Sequence, residues 1–485
     1  KGKIMKLRTI FYGLTSGLLL GLSSCSLNYE PLDTYSDVTE GVTSDGTKIV
    51  FKDKAAVESH LTTLYNQMRD RQEHWYVDLL LISDSHSDNA YAGTTGAEVV
   101  PFENNSIEGS NSVLERDWNR YLEDVARANK LICNIDLVTD NSLTTAERAQ
   151  YKAEAKIFRA MVMFDMVRLW GDFPVITTVA DDITSENIDE VYPQYFPKQN
   201  TELEAYQQIE KDLLDAVLYA PDNTPGNTKV IQYCDEVKAD GFDLVDDFSD
   251  LFGMNAAGTD AKMRNTKESI LEAQFTSGAG NWCTWMFGRD LVNWNNNFTW
   301  AKWVTPSRDL ISAFKQEGDE VRFKESIVYY DCNWSNYYPS DNYPFMYKCR
   351  SANSSIIKYR YADVLLLKAE ALIMQDTPDL EGAADIIDEV RDRAKLGALP
   401  TSVRSNKNVL LNALLKERRL ELAFEGQRWF DLVRLDKVEE VMNAVYAKDS
   451  GRKAQIYTFD KNSYRLPIPQ SVIDANDKIH QNPGY

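Results

Sequence analysis

The chain has 485 residues, of which 43% are hydrophobic and 26% are charged. This composition is too apolar for a disordered protein, and the length exceeds the usual size of a single core. We therefore expect one large or two interleaved folding units. The formal net charge is -21 at pH 7. So acidic a surface repels phosphate groups, which argues against nucleic acid as a partner.

The N-terminus has the charge pattern of an exported protein. Basic residues in the first eight positions precede an apolar run from Ile10 to Leu22, which is short and interrupted by small polar residues. This order is typical of a signal peptide rather than a membrane span. The run ends in LSSC at Cys25, which resembles a bacterial lipobox; the alternative is an ordinary secretory signal with an incidental cysteine. We expect a signal peptide over residues 1–24, a tether lipidated at Cys25 over residues 25–50, and a folded domain over residues 51–485.

Apolar residues recur with a helical period in several segments. The first, from Lys54 to Asp70, follows a repeat of about 3.6 residues. A later one starts with the capping-box pattern Thr144-Thr145-Ala146-Glu147 and runs to Trp170, followed by Gly171. Paired helices of this length predict a mainly α fold of stacked tetratricopeptide-type hairpins with little β structure. The other predicted helices cover residues 112–136, 202–219, 359–374, 380–395, 406–424 and 427–444, in a scaffold over about 51–70, 112–250 and 359–446.

Two stretches, residues 71–110 and about 276–358, lack a sustained helical period. Both are rich in Trp, Tyr, Asn, Gly and Ser. Long irregular segments inside a compact domain are commonly functional loops. We therefore expect the helices to form a scaffold and these two stretches to form a loop-rich ligand-binding face.

No catalytic or cofactor motif stands out in the sequence. The four histidines are scattered, and HExxH, Walker, GxSxG and GxGxxG patterns are missing. The five cysteines after Cys25 have no CxxC or zinc spacing, which favours buried thiols with one disulfide at most. We expect no enzyme activity, no cofactor and no metal. With 74 acidic residues, a carboxylate pair near a cleft leaves a surface glycoside hydrolase as an alternative.

Four motifs, taken in order, resemble one known family. The first is EAKIFRAMVMFDMVRLWGDFP from Glu154 to Pro174, and the second is RYADVLL from Arg360 to Leu366. The third, ERRLELAFEGQRWFDL, runs from Glu417 to Leu432 and carries charges that can pair with neighbouring helices. The last is RLPIPQ from Arg465 to Gln470, followed by the terminal QNPGY. With the lipobox, these motifs resemble the SusD/RagB family of outer-membrane nutrient-binding lipoproteins.

The resemblance implies a SusD-like fold and capture of nutrients at the cell surface. SusD-like proteins bind oligosaccharides and hand them to a SusC-like TonB-dependent transporter, whereas RagB-like members handle peptides. The chain is then expected to be lipid-anchored in the outer membrane, facing the cell exterior, and to bind a neutral oligo- or polysaccharide, with surface glycoside hydrolases as further partners. A levan-binding SusD homologue is suggested as a relative, although no residue separates fructan from glucan. Peptide capture stays open as the alternative.

The stretch from Asn281 to Trp303 holds half of the ten tryptophans, set among asparagines. Aromatic rings stack on the C–H faces of sugars, while Asn, Asp and Arg bond to the hydroxyl groups. We expect at least one of these rings to face a ligand, the alternative being that they fill the seam between loops and scaffold. The candidate contacts are Trp282, Cys283, Trp285, Arg289 and Trp294.

A second set of contacts is expected just after the first helix, because that segment touches the ligand in the family. Residues 74–96 supply Trp75 and Tyr91 for stacking, with Asp84 and Asp88 for hydroxyl groups. The two aspartates could instead cap a turn. Arg350 is a further candidate donor, and a structural salt bridge is its alternative.

Overall fold

The computed structural model describes residues 41–42, 48–93, 96–217, 226–276, 280–284 and 303–485. Helices dominate this part of the chain, and its short strands form two-stranded sheets, which confirms the predicted mainly α class with little β. The expected signal peptide, the lipidation site at Cys25 and most of the tether lie outside the described residues. So do Trp285, Arg289 and Trp294.

The helices follow one another along the whole described chain, separated in places by short strands. Strands β1 to β8 are Gly41–Val42, Lys48–Ile49, Ala90–Tyr91, Ser269–Ala273, Thr305–Pro306, Ile327–Tyr330, Tyr343–Met346 and Ile356–Arg360. Helices α1 to α8 are Lys54–Asp70, Val100–Asn104, Ser112–Asn134, Thr145–Trp170, Ile188–Val191, Glu202–Val217, Gly226–Ala239 and Ser249–Phe252. Helices α9 to α17 are Arg308–Glu317, Glu320–Ser326, Tyr361–Met374, Leu380–Arg393, Thr401–Arg404, Lys407–Glu421, Arg428–Arg434, Val438–Lys448 and Gln470–Ala475.

The ends of the long helix α4 are where the sequence predicts them. The Glu147 backbone N–H donates to Thr144 Oγ1 at 3.2 Å, and the Thr144 N–H donates to Glu147 Oε2 at 2.9 Å. This reciprocal capping box satisfies two backbone donors at the helix start. At the other end, Gly171 adopts a φ of 72°, a left-handed conformation that glycine accepts at little cost.

The helices pack in two groups, each around its own core. In the N-terminal half, α4 packs against both α3 and α6, and in the C-terminal half α11 packs against α7, α12 and α14. The larger core joins α1, α3 and α4 to the C-terminal segments around Trp429 and Leu466, and a second core lies between α11, α12 and α14. Packing of helices that follow one another in this way agrees with the predicted helical hairpins.

The prediction that residues 71–110 form an open loop is wrong. Residues Glu73–Val77 and Leu81–Ser85 are π-helical turns on either side of an α-helical turn at Asp78–Leu80. We call residues 73–85 the buried helix, because every residue from His74 to Gly93 is buried. A helix that is covered on all sides has no solvent-facing stripe and therefore no amphipathic period. Polar residues on such a helix resemble a loop in the sequence.

The second predicted loop region, about 276–358, also contains regular structure. It holds β5 to β7, the beginning of β8, and helices α9 and α10. Strand β6 pairs antiparallel with β7, and β8 pairs antiparallel with β4. Among the described residues of this region, residues 331–342 form a long irregular segment that connects β6 to β7.

The charged motif from Glu417 to Leu432 forms buried ion pairs, as expected from its sequence. Arg418 Nε donates to Asp431 Oδ2 at 2.9 Å, and Glu417 Oε1 accepts from Arg322 at 2.6 Å. Glu421 lies between Arg322, Arg360 and Arg393. Burial alone would raise the pKa of Glu421, but the three guanidinium groups hold it well below its usual value. The motif therefore belongs to the scaffold.

Candidate functional site

The structure brings the ends of the two predicted ligand-binding stretches together. Strand β3 pairs antiparallel with β5, so that Tyr91 lies opposite Thr305. Ser85 Oγ donates to the Trp303 carbonyl oxygen at 2.8 Å, which attaches the end of the tryptophan-rich stretch to the buried helix. The two stretches therefore meet at one place, although they are separated by about two hundred residues of sequence.

A cluster of aromatic rings lies at this junction. The rings of Tyr91 and Tyr337 stack with their centres 4.4 Å apart and their planes 8° from parallel. Tyr91 Oη donates to the Asp449 carboxylate and accepts from the Arg308 backbone N–H at 3.0 Å. Burial, helped by the bond to Asp449, raises the pKa of Tyr91 to about 12. The hydroxyl group is therefore uncharged at physiological pH.

Arg308 covers the outer side of this cluster. Its guanidinium carbon lies 4.6 Å from the centre of the Tyr338 ring, and its side chain is 43% exposed. Nη2 donates to the Tyr337 carbonyl oxygen, and Nη1 lies 3.6 Å from Asp449 Oδ1. These contacts hold a planar cation over an aromatic ring at the surface. We call Tyr91, Arg308, Tyr337 and Tyr338 the tyrosine–arginine cluster.

Exposed polar side chains surround the cluster. The segment of residues 331–342 exposes Asn333, Asn336 and Asn342, and the Asn336 amide donates to the Gly93 carbonyl oxygen at 2.8 Å. On the C-terminal side, the Lys453 ammonium lies 4.7 Å from the centre of the Tyr337 ring. Tyr457, four residues further along the chain, is 61% exposed. Amide and hydroxyl groups of this kind can bond to a ligand rich in hydroxyl groups.

The tyrosines of the cluster stay neutral for a common reason. Burial raises the pKa of Tyr337, and the Glu103 carboxylate that accepts its hydroxyl raises it further. Burial likewise raises the pKa of Tyr338. The three hydroxyl groups therefore stay neutral and bonded inside the protein, and the cluster presents the permanent cation of Arg308 to solvent.

Trp75 is not a surface ring, contrary to the expectation from the sequence. It is 0% exposed, its indole N–H donates to Asp124 Oδ2 at 2.9 Å, and its ring centre lies 5.4 Å from that of Phe158. Tyr91 is also fully buried, with its ring covered by Tyr337. A stacking platform that includes these two rings is therefore wrong for this conformation, because neither ring offers a free face.

Asp84 and Asp88 are buried and bonded inside the protein. Asp84 Oδ1 accepts from the Asn89 amide at 2.9 Å and from the Phe424 backbone N–H at 3.1 Å. Burial raises the pKa of Asp84 to about 6, although these hydrogen bonds act in the opposite direction. Burial also acts to raise the pKa of Asp88, but Arg419 and Arg428 hold it well below its usual value. Neither carboxylate faces solvent, which corrects their assignment to a ligand-binding loop.

Trp282 is the described residue of the tryptophan-rich stretch that offers an exposed ring. It is 40% exposed, and its backbone N–H donates to Gln72 Oε1 at 2.8 Å. Cys283, by contrast, is fully buried. Arg350 is buried as well and donates to Glu325 Oε2 at 2.8 Å, so the structural salt bridge is the correct alternative for this residue.

Sequence reasoning missed most of the tyrosine–arginine cluster. Arg308, Tyr337 and Tyr338 are not among the ligand contacts expected from the sequence, although they lie within the region expected to form the binding face. The segment NWSNYYPSDN, residues 333–342, has the same mixture of aromatic and amide residues as the 281–303 stretch. This composition was the signal from which Tyr337 and Tyr338 could have been predicted as ligand contacts. Arg308 gave no such signal, because it is the first residue of an ordinary amphipathic helix.

Comparison with known protein families identifies the group to which the chain belongs. Residues 341–485 match the family described as "SusD family", and residues 32–233 match the family described as "Starch-binding associating with outer membrane". The two matches lie in separate parts of the sequence and together span more than two-thirds of it. The chain belongs to the SusD family. The resemblance and the SusD-like fold expected from the sequence are thereby confirmed.

This SusD-family protein is similar along most of its length to several characterised chains. It is 26% identical over 500 residues to SusD-like protein P2 of Formosa agariphila, covering 90% of this chain and 93% of that one. It superposes with a TM-score of 0.66 on a laminarin-binding SusD-like protein, which is 21% identical, covering 90% and 100% of the two chains. It also superposes with a TM-score of 0.66 on surface glycan-binding protein A of Bacteroides thetaiotaomicron in complex with laminarihexaose, at 17% identity and coverages of 89% and 99%. At these identities the superpositions establish the fold.

Two kinds of feature are not found in the described part of this SusD-family protein. Within it, no helix combines the length and apolar composition needed to cross a lipid bilayer. No group of three or more His, Cys, Asp or Glu side chains in the same residues is arranged to hold a metal ion.

Proposed function

We propose that this SusD-family protein binds a neutral glycan at the surface formed by the tyrosine–arginine cluster and residues 331–342. The observation that carries the proposal is the exposed Arg308 guanidinium, which lies over the Tyr338 ring on a segment that also exposes Asn336 and Asn342. A planar donor gives paired hydrogen bonds to neighbouring sugar hydroxyls, and the aromatic and amide groups beside it suit the rest of the ring. Two structurally similar proteins are named for laminarin and laminarihexaose.

The charge of the chain supports a neutral rather than an acidic glycan. A formal net charge of -21 repels polyanions over most of the surface. Arg308 is already neutralised in part by Asp449, whose Oδ1 lies 3.6 Å from Nη1. The cluster therefore favours hydroxyl groups over carboxylates or sulfates.

We further propose that the glycan is passed to a SusC-like TonB-dependent transporter without being cleaved. The lipobox-like LSSC at Cys25 and the family described as associating with the outer membrane support a lipid-anchored protein that faces the cell exterior. Purification of the full chain from outer membranes under mild detergent tests the partnership. A TonB-dependent barrel should co-purify with it, and recovery of the chain alone under conditions that preserve other outer-membrane complexes would contradict the partnership.

Calorimetric titration with laminarihexaose, levan oligosaccharides and an unrelated peptide mixture tests the ligand class. Levan is included because the sequence suggested it, and laminarihexaose because one similar structure is of a laminarin-binding protein and another is a complex with laminarihexaose. We expect saturable binding of at least one neutral glycan and no release of shorter products. Binding of peptides alone would favour the RagB-like alternative, and product release would favour a hydrolase.

Two variants test whether the glycan binds at the tyrosine–arginine cluster. Arg308→Ala and Tyr338→Ala should each weaken glycan binding by about tenfold or more, which corresponds to about 1.4 kcal/mol. Tyr192→Ala is the matched control, because Tyr192 is an exposed aromatic residue whose ring contacts Phe196 in another segment. Unchanged binding in both cluster variants, with the fold intact, would move the site elsewhere.

A further inference from the structure

Two buried cysteines lie next to each other inside the protein. Cys283 is 0% exposed and Cys349 is 7% exposed, and both line one pocket of about 50 Å³. Both are free thiols in the structure, and each shifts the pKa of the other. The two thiols therefore lie close together, although their residues belong to different segments of the chain.

The backbone around the two cysteines is held in register by Asn281. Its backbone N–H donates to the Ala352 carbonyl oxygen at 2.9 Å, and its amide donates to the Ser354 carbonyl oxygen at 2.9 Å. Its Oδ1 accepts from the Cys283 backbone N–H at 2.9 Å. One asparagine thus bonds to the segments that carry each cysteine, so that the thiols meet because the backbones meet.

We propose that Cys283 and Cys349 form a disulfide bond in the mature protein. The pair lies in a chain whose N-terminus has the pattern of an export signal, and exported proteins fold in oxidising surroundings where disulfides persist. The other described cysteines are bonded elsewhere: Cys133 to the Thr177 carbonyl oxygen, Cys234 to that of Val364 and Cys332 to that of Trp334. The proposal does not depend on glycan binding.

The two thiols differ in the way that disulfide exchange requires. The interaction with Cys283 lowers the pKa of Cys349, and burial opposes this while Lys348 and Arg350 add to it. Burial raises the pKa of Cys283, which makes it the proton donor of the pair. Because the thiolate is the attacking species, Cys349 is the first nucleophile.

The reaction uses an external disulfide, either of low molecular weight or in an oxidoreductase, as the oxidant. The Cys349 thiolate attacks one sulfur of that disulfide, forming a mixed disulfide and releasing one thiolate. Cys283 then loses its proton and attacks the Cys349 sulfur, which releases the second thiolate. Two protein thiols are oxidised, one external disulfide is reduced to two thiols, and the two protons pass to the released thiolates.

The bond would connect two parts of the molecule that bear on the binding face. Cys283 immediately follows Trp282 at the start of the tryptophan-rich stretch, and Cys349 lies between β7 and β8. A covalent link at this point anchors the beginning of the stretch to the β-strands of the scaffold. It also closes a long loop of chain, which is the case in which a crosslink restricts the unfolded state most.

The test is a cysteine map of the full chain after it is unfolded and then refolded in a mixture of oxidised and reduced glutathione. The refolded protein is alkylated in denaturant, digested without reduction and analysed by mass spectrometry. We expect the peptide of Cys283 to be joined to that of Cys349, and the peptides of the other three described cysteines to carry the alkyl group. Alkyl groups on both Cys283 and Cys349, or a bond from either to a different cysteine, would overturn the proposal.

Variants provide a second, independent readout. Cys133→Ser should keep the crosslinked peptide pair, whereas Cys283→Ser should leave the Cys349 peptide alkylated. Thermal unfolding of the wild type should shift to lower temperature when reductant is added, and the double variant Cys283→Ser/Cys349→Ser should show no such shift. An equal response to reductant in the wild type and the double variant would contradict the bond, and the map of the wild type decides the question even if the variants fold poorly.

Discussion

The Arg428 guanidinium binds the Asp88 carboxylate, although the two residues lie 340 positions apart in the sequence. Its Nε donates to Asp88 Oδ1 at 2.8 Å and its Nη2 donates to Oδ2 at 2.9 Å, while Arg419 Nη2 lies 3.2 Å from the same Oδ2. All three side chains are buried. The Asp88 carboxylate therefore joins two parts of the chain. One is the segment between the buried helix and the strand that carries Tyr91, and the other is the charged C-terminal motif.

Replacing Asp88 by asparagine should destabilise the protein strongly. The change keeps the size of the side chain but leaves the buried Arg428 charge without its carboxylate partner, whereas Arg419 keeps its pair with Asp309. Removing one partner of a buried ion pair costs about 3–5 kcal/mol. The free energy of unfolding, measured with urea, should fall by about this amount in Asp88→Asn.

The control for this change is Asp246→Asn. Asp246 is also paired, with Lys267 Nζ at 3.1 Å, but its side chain is 97% exposed. Exposed pairs contribute little, so this variant should unfold at nearly the same urea concentration as the wild type. If the two variants lost similar stability, the buried pair would not have the structural role assigned to it.

Asp84 should make stability depend on pH between about 4 and 6. Its pKa is raised from 3.8 to about 6 in the folded protein, mainly by burial. Below pH 3.8 the carboxyl is protonated in both states and has no effect, and above pH 6 it is charged in both, which disfavours the folded state. Between these values the folded state binds the extra proton, so this contribution to stability falls as the pH rises, by at most about 3 kcal/mol.

The variant Asp84→Asn isolates this contribution. Asparagine keeps the Oδ1 acceptor for Asn89 and Phe424 but does not titrate. The stability of the wild type minus that of Asp84→Asn should therefore decrease from pH 4 to pH 7, measured by urea unfolding at each pH. Other titrating groups, such as His86 with its pKa lowered to about 4 by burial, are present in both proteins and cancel. A constant difference over this range would show that Asp84 keeps its ordinary pKa.

Trp75→Ala and Trp282→Ala should behave in opposite ways. Trp75 is fully buried and donates to Asp124, so its removal leaves a large cavity and should cost about 3–5 kcal/mol. Trp282 is 40% exposed, and its truncation should leave the melting temperature nearly unchanged. Differential scanning calorimetry of both variants checks the assignment. A wild-type-like melting temperature for Trp75→Ala would contradict its place in the core.

Tyr91→Phe should weaken glycan binding without unfolding the protein. The change removes the hydroxyl that contacts Asp449 and accepts from the Arg308 backbone, so that Arg308 loses one of the contacts that hold it in position. We expect a stability loss of about 1 kcal/mol and an affinity several-fold lower in calorimetric titration. Tyr121→Phe is the matched control, because its buried hydroxyl donates to the His74 carbonyl oxygen at 2.6 Å, away from the cluster. It should lose similar stability but bind normally. Equal affinities in the two variants would show that the Tyr91 hydroxyl does not hold Arg308 in a position needed for binding.

Helices that lie on the surface of the scaffold were predictable because each has one apolar side. The pattern from Lys54 to Asp70 matches α1 in both its bounds, and the Thr144–Glu147 pattern marks the start of α4. These features depend on residues three or four positions apart, which a sequence displays directly. The pairing of the charges around Glu417 was predictable for a similar reason, since buried charges require partners.

The sequence by itself determined the mainly α class and the family, and it indicated the neighbourhood that we propose as the binding face. Which residues of that neighbourhood reach solvent was decided by the tertiary structure. Trp75, Asp84 and Asp88 have the chemistry of ligand contacts, but Phe158, Phe424 and Arg428, brought in from distant parts of the chain, cover or neutralise them. Burial depends on contacts between residues far apart in sequence. Aromatic residues suit a hydrophobic core as well as a sugar, and acidic residues suit a buried ion network as well as a sugar. Arg308 became a candidate only when folding placed it on Tyr338.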